Sequence, residues 1–287
     1  MWRGCVYYLC MDSLPIAVRI DDPAGWWLYP SSTTASRLVV FVHGFGGRAI
    51  STWKNFAEGQ QVSRWWMDSD LLFVGYDSKR DGIKGVADRL RRNLPRFYPE
   101  PHQPAMSFNG VISARSDISS PYKELIVVAH SLGGLIVRHA LVDDAHEWIK
   151  LGRTDPKPLL LDSAVRLFSP ASAGFRGAGI LGAARASGFW PALEMYLRRS
   201  SAYTDMQPGS TMLTDTRART ERLVDEEPDT EALVASILWA SPDQVVIEGK
   251  YDSDVISRSV EGQSHKSVCK PHIGYPVPWE FVEKGVY

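Results

Sequence analysis

Apolar positions along the chain fall into two patterns: short runs of strand length and longer stretches with helical spacing. Ile16-Ala17-Val18-Arg19-Ile20 alternates like a half-buried strand, Asp21 to Gly25 has turn chemistry, and Trp26 to Tyr29 follows as a second strand. The three together predict an antiparallel hairpin at a sheet edge. Arg37 to Val42 is apolar almost throughout, as expected of a parallel strand buried on both faces. Further strands are predicted at Asp70–Tyr76, Leu125–Ala129, Ala164–Phe168, Leu233–Trp239 and Val255–Val260. Between them, Gly85–Phe97 reads as a basic amphipathic helix with Val86, Leu90 and Leu94 on one face. A second helix starts right after residue 131 with Leu135, Ile136, Val137, Ala140 and Leu141. Pro99 to Pro121 has no periodicity and predicts a surface loop. Strands alternating with helices imply an α/β class protein: a mostly parallel central sheet, helices on both faces and the N-terminal hairpin at its edge.

Residues 175–230 differ from the rest. Gly177 to Ala184 is small and apolar, Phe189-Trp190 and Leu193 to Leu197 suggest short helices, and Glu221 to Glu231 is acidic. Two readings stand side by side: a lid inserted over a site, or ordinary crossover helices. Either way residues 12–287 are expected to form one domain, with 175–230 as the candidate lid.

Composition narrows the function classes. The chain has 287 residues, 44% hydrophobic and 23% charged, with a net charge of −1. A near-neutral chain has no basic field to attract nucleic acid. Ten Trp is a high count, and some are expected to line a substrate cleft, with packing under loops as the alternative for any single one. Cys5, Cys10 and Cys269 are odd in number and scattered, so neither a disulfide framework nor a metal site is expected, and a reducing, cytoplasmic setting follows. No stretch reaches the roughly 18–20 apolar residues of a membrane span, which leaves peripheral membrane contact open. Residues 1–11 have too short an apolar core for a signal peptide, and Met11 is an alternative start.

The candidate chemistry sits where the strand Leu125–Ala129 meets its helix, at His130-Ser131-Leu132-Gly133-Gly134. Small residues two before and two after Ser131 (Ala129 and Gly133) permit a very sharp strand–turn–helix turn that holds the hydroxyl out at the sheet edge. A Ser hydroxyl needs a base to take its proton and a third group to orient that base. Among seven His, His265 lies just past the last strand, on the edge where Ser131 emerges, with His272 as rival. Asp243, just beyond the strand before it, is the candidate acid, with Asp252 and Asp254 as rivals. The Gly-rich His43-Gly44-Phe45-Gly46-Gly47 follows the central strand and lets backbone N–H groups turn inward. The N–H groups of Phe45 and Leu132 are the candidate oxyanion donors, while Gly44 and His130 are expected beside the substrate. His43 is expected to brace the loop. Ser172 also has a Gly two residues on, but Pro170 two before spoils such a turn, so it reads as pocket lining.

With these residues in place a resemblance can be stated. Val42 to Gly47 with Trp53 downstream, His130 to Arg138, and His265-Lys266-Ser267-Val268-Cys269-Lys270-Pro271 resemble the lipase-like α/β hydrolases, a group that includes the GPI inositol-deacylases, the serine-active-site lipid-remodelling proteins and bacterial relatives. The resemblance spans roughly residues 37–140 and 232–272, with Ala129 where the turn usually has Gly. It implies an α/β-hydrolase fold and a serine esterase or lipase acting on a small-molecule or lipid ester through an acyl-enzyme on Ser131, with no metal or organic cofactor. A thioesterase or acyltransferase on the same residues, and a silent hydrolase fold used as an interaction module, are the alternatives.

Overall fold

The apolar runs become the middle of a sheet. A computed structural model describes residues 16–18, 25–106, 117, 119–176, 201–227, 229–254 and 256–286. In chain order these form β1 (Ile16–Val18), β2 (Trp26–Tyr29), β3 (Arg37–Val42), α1 (Ala49–Trp53), α2 (Arg64–Met67), β4 (Ser69–Val74), α3 (Ile83–Asn93), α4 (Gln103–Met106), β5 (Glu124–His130), α5 (Leu132–Lys150), β6 (Ser163–Phe168), β7 (Ser236–Ser241) and β8 (Ile256–Glu261). Two further helices, Ser201–Asp205 and Thr211–Glu226, precede β7, and Val277–Lys284 closes the chain. The eight strands run β1-β2-β4-β3-β5-β6-β7-β8. β1 and β2 are antiparallel to their neighbours, and every other pair is parallel.

Side chains alternate between the faces of a strand, so β3 and β5 feed two cores. Val40, Val42, Val127 and Ala129 pack on one side. Val39, Phe41, Ile126 and Val128 pack on the other. The first side is covered by α5, with α3 and Thr211–Glu226 packed against that helix. α5 is therefore buried nearly all round, which explains its apolar sequence. The second side is covered by Trp53, Phe56, Trp66 and the Trp279, Phe281 and Val282 face of the last helix.

Trp26, Trp53, Trp66, Trp239 and Trp279 are all buried. They are core residues, not walls of a cleft. Trp53 sits against Phe41 and Trp66 against Phe56, with ring centroids 5.1 and 5.5 Å apart. Large aromatics fill the wide gap between a twisted sheet and its helices, a need that composition does not reveal.

Three boundaries moved for local reasons. α3 stops at Asn93 and finishes as the 3₁₀ turn Leu94–Arg96, because Pro95 has no N–H to continue the ladder. β7 starts at Ser236 rather than Leu233, because the N–H of Ala235 is donated to Asp254 Oδ1 at 3.1 Å instead of to a strand. The loop expected at Pro99–Pro121 contains the one-turn helix α4, and Asp117 Oδ1 accepts the N–H groups of Ser119 and Ser120 in a local turn. Within the candidate lid, Thr211–Glu226 lies on α5 as part of the β6–β7 connection, and residues 177–200 fall outside the described residues. Among the described residues no helix is long and apolar enough to cross a membrane.

Candidate active site

Parallel strands end together, so the loops after β3, β4, β5, β6, β7 and β8 share one edge of the sheet. Ser131 stands at that edge as the residue before α5, with φ 56° and ψ −121°. A positive φ is strained for a Ser, by about 1–3 kcal/mol, and the surroundings hold it there. Ser131 N–H donates to Phe168 O at 3.1 Å, and Ala171 N–H donates to Ser131 O at 3.0 Å, so the apex is tied to the end of β6. The turn is also tight. A Cβ on Gly133 would lie 2.4 Å from Val42 O and 2.6 Å from His43 O. Gly133 is thus where α5 presses directly on the backbone of β3, and only Gly fits. The Ser131 hydroxyl is not used to cap α5. It stands at the positive end of the helix dipole and has no hydrogen-bond partner among the described residues.

The structure brings His265 and Asp243 to the same edge and into contact. His265 Nδ1 and Asp243 Oδ2 are 2.8 Å apart. The other Asp243 oxygen accepts the N–H groups of Val245 at 2.8 Å and Val246 at 3.1 Å. Burial works to raise the Asp243 carboxyl, but the hydrogen bond and charge of His265, with these two N–H groups, outweigh it and leave the group below the ordinary carboxylate value. With Nδ1 donating to a carboxylate, Nε2 of the neutral imidazole is left as the acceptor. No hydrogen bond joins Ser131 Oγ to His265.

The rival residues are occupied elsewhere. Asp254 is fully buried, 2.6 Å from Arg138 Nη2, and also accepts the N–H groups of Ala235 and Tyr251. Arg138 lies over the Tyr251 ring at 3.9 Å. This is an ion pair of the core, away from His265. Asp252 is exposed, and its N–H donates to Glu221. His272 is exposed, and its Nδ1 accepts the N–H of Gly274.

The Gly-rich loop after β3 is braced by its own first residue. His43 Nδ1–H donates to Gly44 O at 2.9 Å, which also accepts Gly47 N–H at 3.0 Å. The His43 ring stacks on Tyr76 with centroids 4.1 Å apart. Burial pulls the His43 pKa down to about 4, so the ring is neutral at pH 7. The N–H groups of Phe45 and Leu132 have no hydrogen-bond partner among the described residues. Gly44 is close to Ser131: a Cβ there would lie 2.8 Å from Ser131 Cβ and 3.0 Å from His130 Nδ1. His130 is buried, and its Nε2 is 2.7 Å from His265 O. Phe45 meets Phe175 edge-on at 6.4 Å, and Phe175 pairs with Val246 in a two-residue bridge. Ser172 is buried, with its hydroxyl unpaired in the described structure. A cleft of about 400 Å³ borders His265 on the side of Gln244 and Gln263, and Ser131 is not among its walls.

Sequence reasoning did not single out Tyr76 or Ser78. Tyr76 Oη–H donates to His43 O, and Ser78 Oγ accepts Gly46 N–H at 2.8 Å. Both residues follow β4, the neighbour of β3, so their place at the shared edge was the available signal. Among the described residues no group of three or more His, Cys, Asp or Glu is arranged to hold a metal ion.

No family model matches the sequence, and no curated protein matches it. Solved structures do. A bacterial membrane phospholipase A described as a virulence factor is 14% identical, with a TM-score of 0.50 over 96% of this chain and 87% of that one. A monoacylglycerol lipase of Paleococcus ferrophilus is 14% identical, with a TM-score of 0.48 over 90% and 97% of the two chains. A siderophore hydrolase of Aspergillus fumigatus is 12% identical, with a TM-score of 0.48 over 91% and 92%. At these identities the first likeness speaks for architecture alone, and the other two are too loose to add to it. With the strand order and the parallel core already described, it identifies the α/β-hydrolase fold.

Proposed function

We propose that the protein is a serine carboxylester hydrolase that works through an acyl-enzyme on Ser131. The observation that carries this reading is the strained apex of Ser131, whose hydroxyl caps no helix, at the same sheet edge as a His265 whose ring is already oriented by Asp243. In the reaction His265 Nε2 takes the Ser131 Oγ proton as Oγ bonds to the acyl carbon. The carbonyl oxygen becomes an oxyanion facing the N–H groups of Phe45 and Leu132, a contact usually worth about 3–4 kcal/mol of barrier per donor. His265 then passes the proton to the leaving alkoxide, and the C–O bond breaks. Water attacks the acyl-enzyme with His265 again as base, and Ser131 is restored. No step needs a metal or organic cofactor. Gly44 lies against the apex and leaves room for the substrate carbonyl.

A small-molecule or lipid ester is the substrate class. The phospholipase A that shares the fold is in keeping with a lipid ester, and Phe45 with Phe175 offers an apolar wall for an acyl chain. The free thiol of Cys269 is in keeping with a reducing, cytoplasmic place, and peripheral contact with membranes is part of the same reading. The test is Ser131→Ala, assayed on p-nitrophenyl esters from short to long acyl chains and with a fluorophosphonate probe. Turnover and labelling should both vanish while the thermal midpoint stays within a few degrees of wild type. Full labelling of the Ala variant would overturn the assignment.

A further inference from the structure

His265 hangs from a weak support. It follows β8, an edge strand that pairs only with β7 and is largely exposed. Asp243 fixes its ring, but a ring held at one nitrogen still moves with its backbone. The second anchor is the carbonyl of His265 itself, which faces His130 Nε2 at 2.7 Å. A carbonyl can only accept, so His130 carries its proton on Nε2 and donates it. The His130 ring has little freedom. It is 8% exposed, lies 4.6 Å from the His265 ring between centroids, and has Gly44 against its Nδ1 edge. Burial, helped by repulsion from His265, pulls its pKa down to about 3, so the ring is neutral at pH 7.

We propose that His130 is a positioning residue: by donating Nε2–H to the His265 carbonyl, it fixes the backbone of the base to the backbone of the nucleophile. His130 and Ser131 are adjacent in the chain. The separation of Ser131 Oγ and His265 Nε2 is thus set by one peptide unit and one hydrogen bond, not by the long path through β8. Its observed contact is with the base. The inference rests on the proposed roles of Ser131 and His265.

The experiment compares His130→Gln, whose amide nitrogen reaches the place of Nε2 and can donate, with His130→Phe, which fills the space and cannot. With p-nitrophenyl esters, His130→Phe should lower kcat by about 10- to 100-fold, in line with a displacement of about 1 Å at a reacting centre, and should leave KM within a factor of two. His130→Gln should recover kcat to within about threefold. A merely structural role would lower the thermal midpoint of both variants alike without this split. A raised KM at unchanged kcat would mean a substrate contact instead and would overturn the proposal, as would full activity of His130→Phe. A readout free of turnover separates this from the function proposed above. In ¹⁵N-histidine NMR, His130 should stay neutral and Nε2-protonated from pH 7 to 5 despite its neighbours His265, Asp243 and His43. The downfield His265 Nδ1–H proton should survive in His130→Gln and broaden by exchange in His130→Phe. If the wild-type protein hydrolyses no ester and takes no probe while these resonances behave as stated, the function fails and the positioning stands. If the resonances are indifferent to residue 130, the positioning fails.

Discussion

Asp243 and Asp254 are eleven positions apart and both buried, yet their amides should fail in opposite ways. In Asp243→Asn the side chain has no free choice of orientation. Its Oδ1 position must accept two N–H groups, from Val245 and Val246, so the amide oxygen stays there and the NH₂ points at His265 Nδ1. That nitrogen then has to accept, the ring proton moves to Nε2, and the atom meant to take the Ser131 proton already carries one. A wrong tautomer of this kind costs about 10⁴ in kcat in a well-studied serine protease, or about 5.4 kcal/mol of barrier. Stability should fall little, because both N–H groups keep their acceptor. Asp254→Asn does the reverse. It leaves the Arg138 guanidinium, 1% exposed, without its counter-charge, and breaking a buried pair on one side costs about 3–5 kcal/mol. For 287 residues the unfolding entropy is about 0.6 kcal/mol/K, so the thermal midpoint should drop by about 5–8 °C.

The assay is steady-state ester turnover at 20 °C, normalised to the folded fraction by circular dichroism, with thermal midpoints measured alongside. The expected outcome is a folded but nearly inactive Asp243→Asn and a destabilised Asp254→Asn with near wild-type kcat per folded molecule. If Asp254→Asn loses turnover in its folded fraction while Asp243→Asn keeps it, the acid is misassigned and the tautomer reasoning falls with it.

Two further outcomes follow from the same edge. Gly133→Ala puts a Cβ roughly 1 Å inside van der Waals contact with the carbonyls of Val42 and His43, both main chain and unable to step aside. It should cost about 3 kcal/mol and, because α5 carries the Leu132 N–H away as it recedes, about 100-fold in kcat; unchanged kcat and midpoint would show that the turn is looser than it looks. The buried neutral histidines predict acid lability well above the carboxylate range. His43 and His130 have folded pKa values of about 4 and about 3 against 6.5 unfolded, so below pH 6.5 the unfolded chain binds their protons and the folded one does not. Stability is full above pH 6.5 and falls with acidification, by about 1.4 kcal/mol per pH unit for each ring. From pH 7.5 to 5.0 that is about 2 kcal/mol each, read by urea unfolding at the two values. His43→Asn, which keeps a donor toward Gly44 O and does not titrate, should remove one such share, and an equal drop in both proteins refutes the account.

What the sequence conveyed depended on distance along the chain. The turn at Ser131 is written in five consecutive residues, and the parallel core in runs such as Leu38–Val42 and Leu125–Ala129, because period and burial are local properties. His265 was legible by position, being beyond the last strand on the edge where Ser131 emerges. The choice among Asp243, Asp252 and Asp254 was less so, since what separates them is a partner: Arg138 lies 116 positions before Asp254. The Trp residues were ambiguous for a related reason. Their abundance fits a cleft or a core equally well, and only the packing of Trp53 and Trp66 on Phe41 and Phe56 decides. His130, Tyr76 and Ser78 each make a single hydrogen bond to a main-chain atom of a remote loop, and although their positions at the shared edge were legible, those partners leave no pattern in the sequence.

The burial that makes this edge sensitive to acid also serves its chemistry. Three imidazoles, those of His43, His130 and His265, lie at the edge that carries Ser131, and in the proposed reaction His265 becomes a cation during each acyl transfer. A second cation at the His130 ring, 4.6 Å away, would oppose that charge by about 3.6 kcal/mol at an effective dielectric of about 20. That is a few hundredfold in rate, enough to offset much of what Asp243 contributes. Removing His130 altogether would avoid the repulsion but lose the donor to His265 O. A buried neutral imidazole meets both requirements: it gives one strong directional hydrogen bond and resists a proton down to about pH 3. A Lys in its place would donate equally well but would resist desolvation only by losing its charge, and an Asn would be too short to reach the carbonyl. The cost of this arrangement appears in the fold, as stability lost below pH 6.5, and not in the reaction.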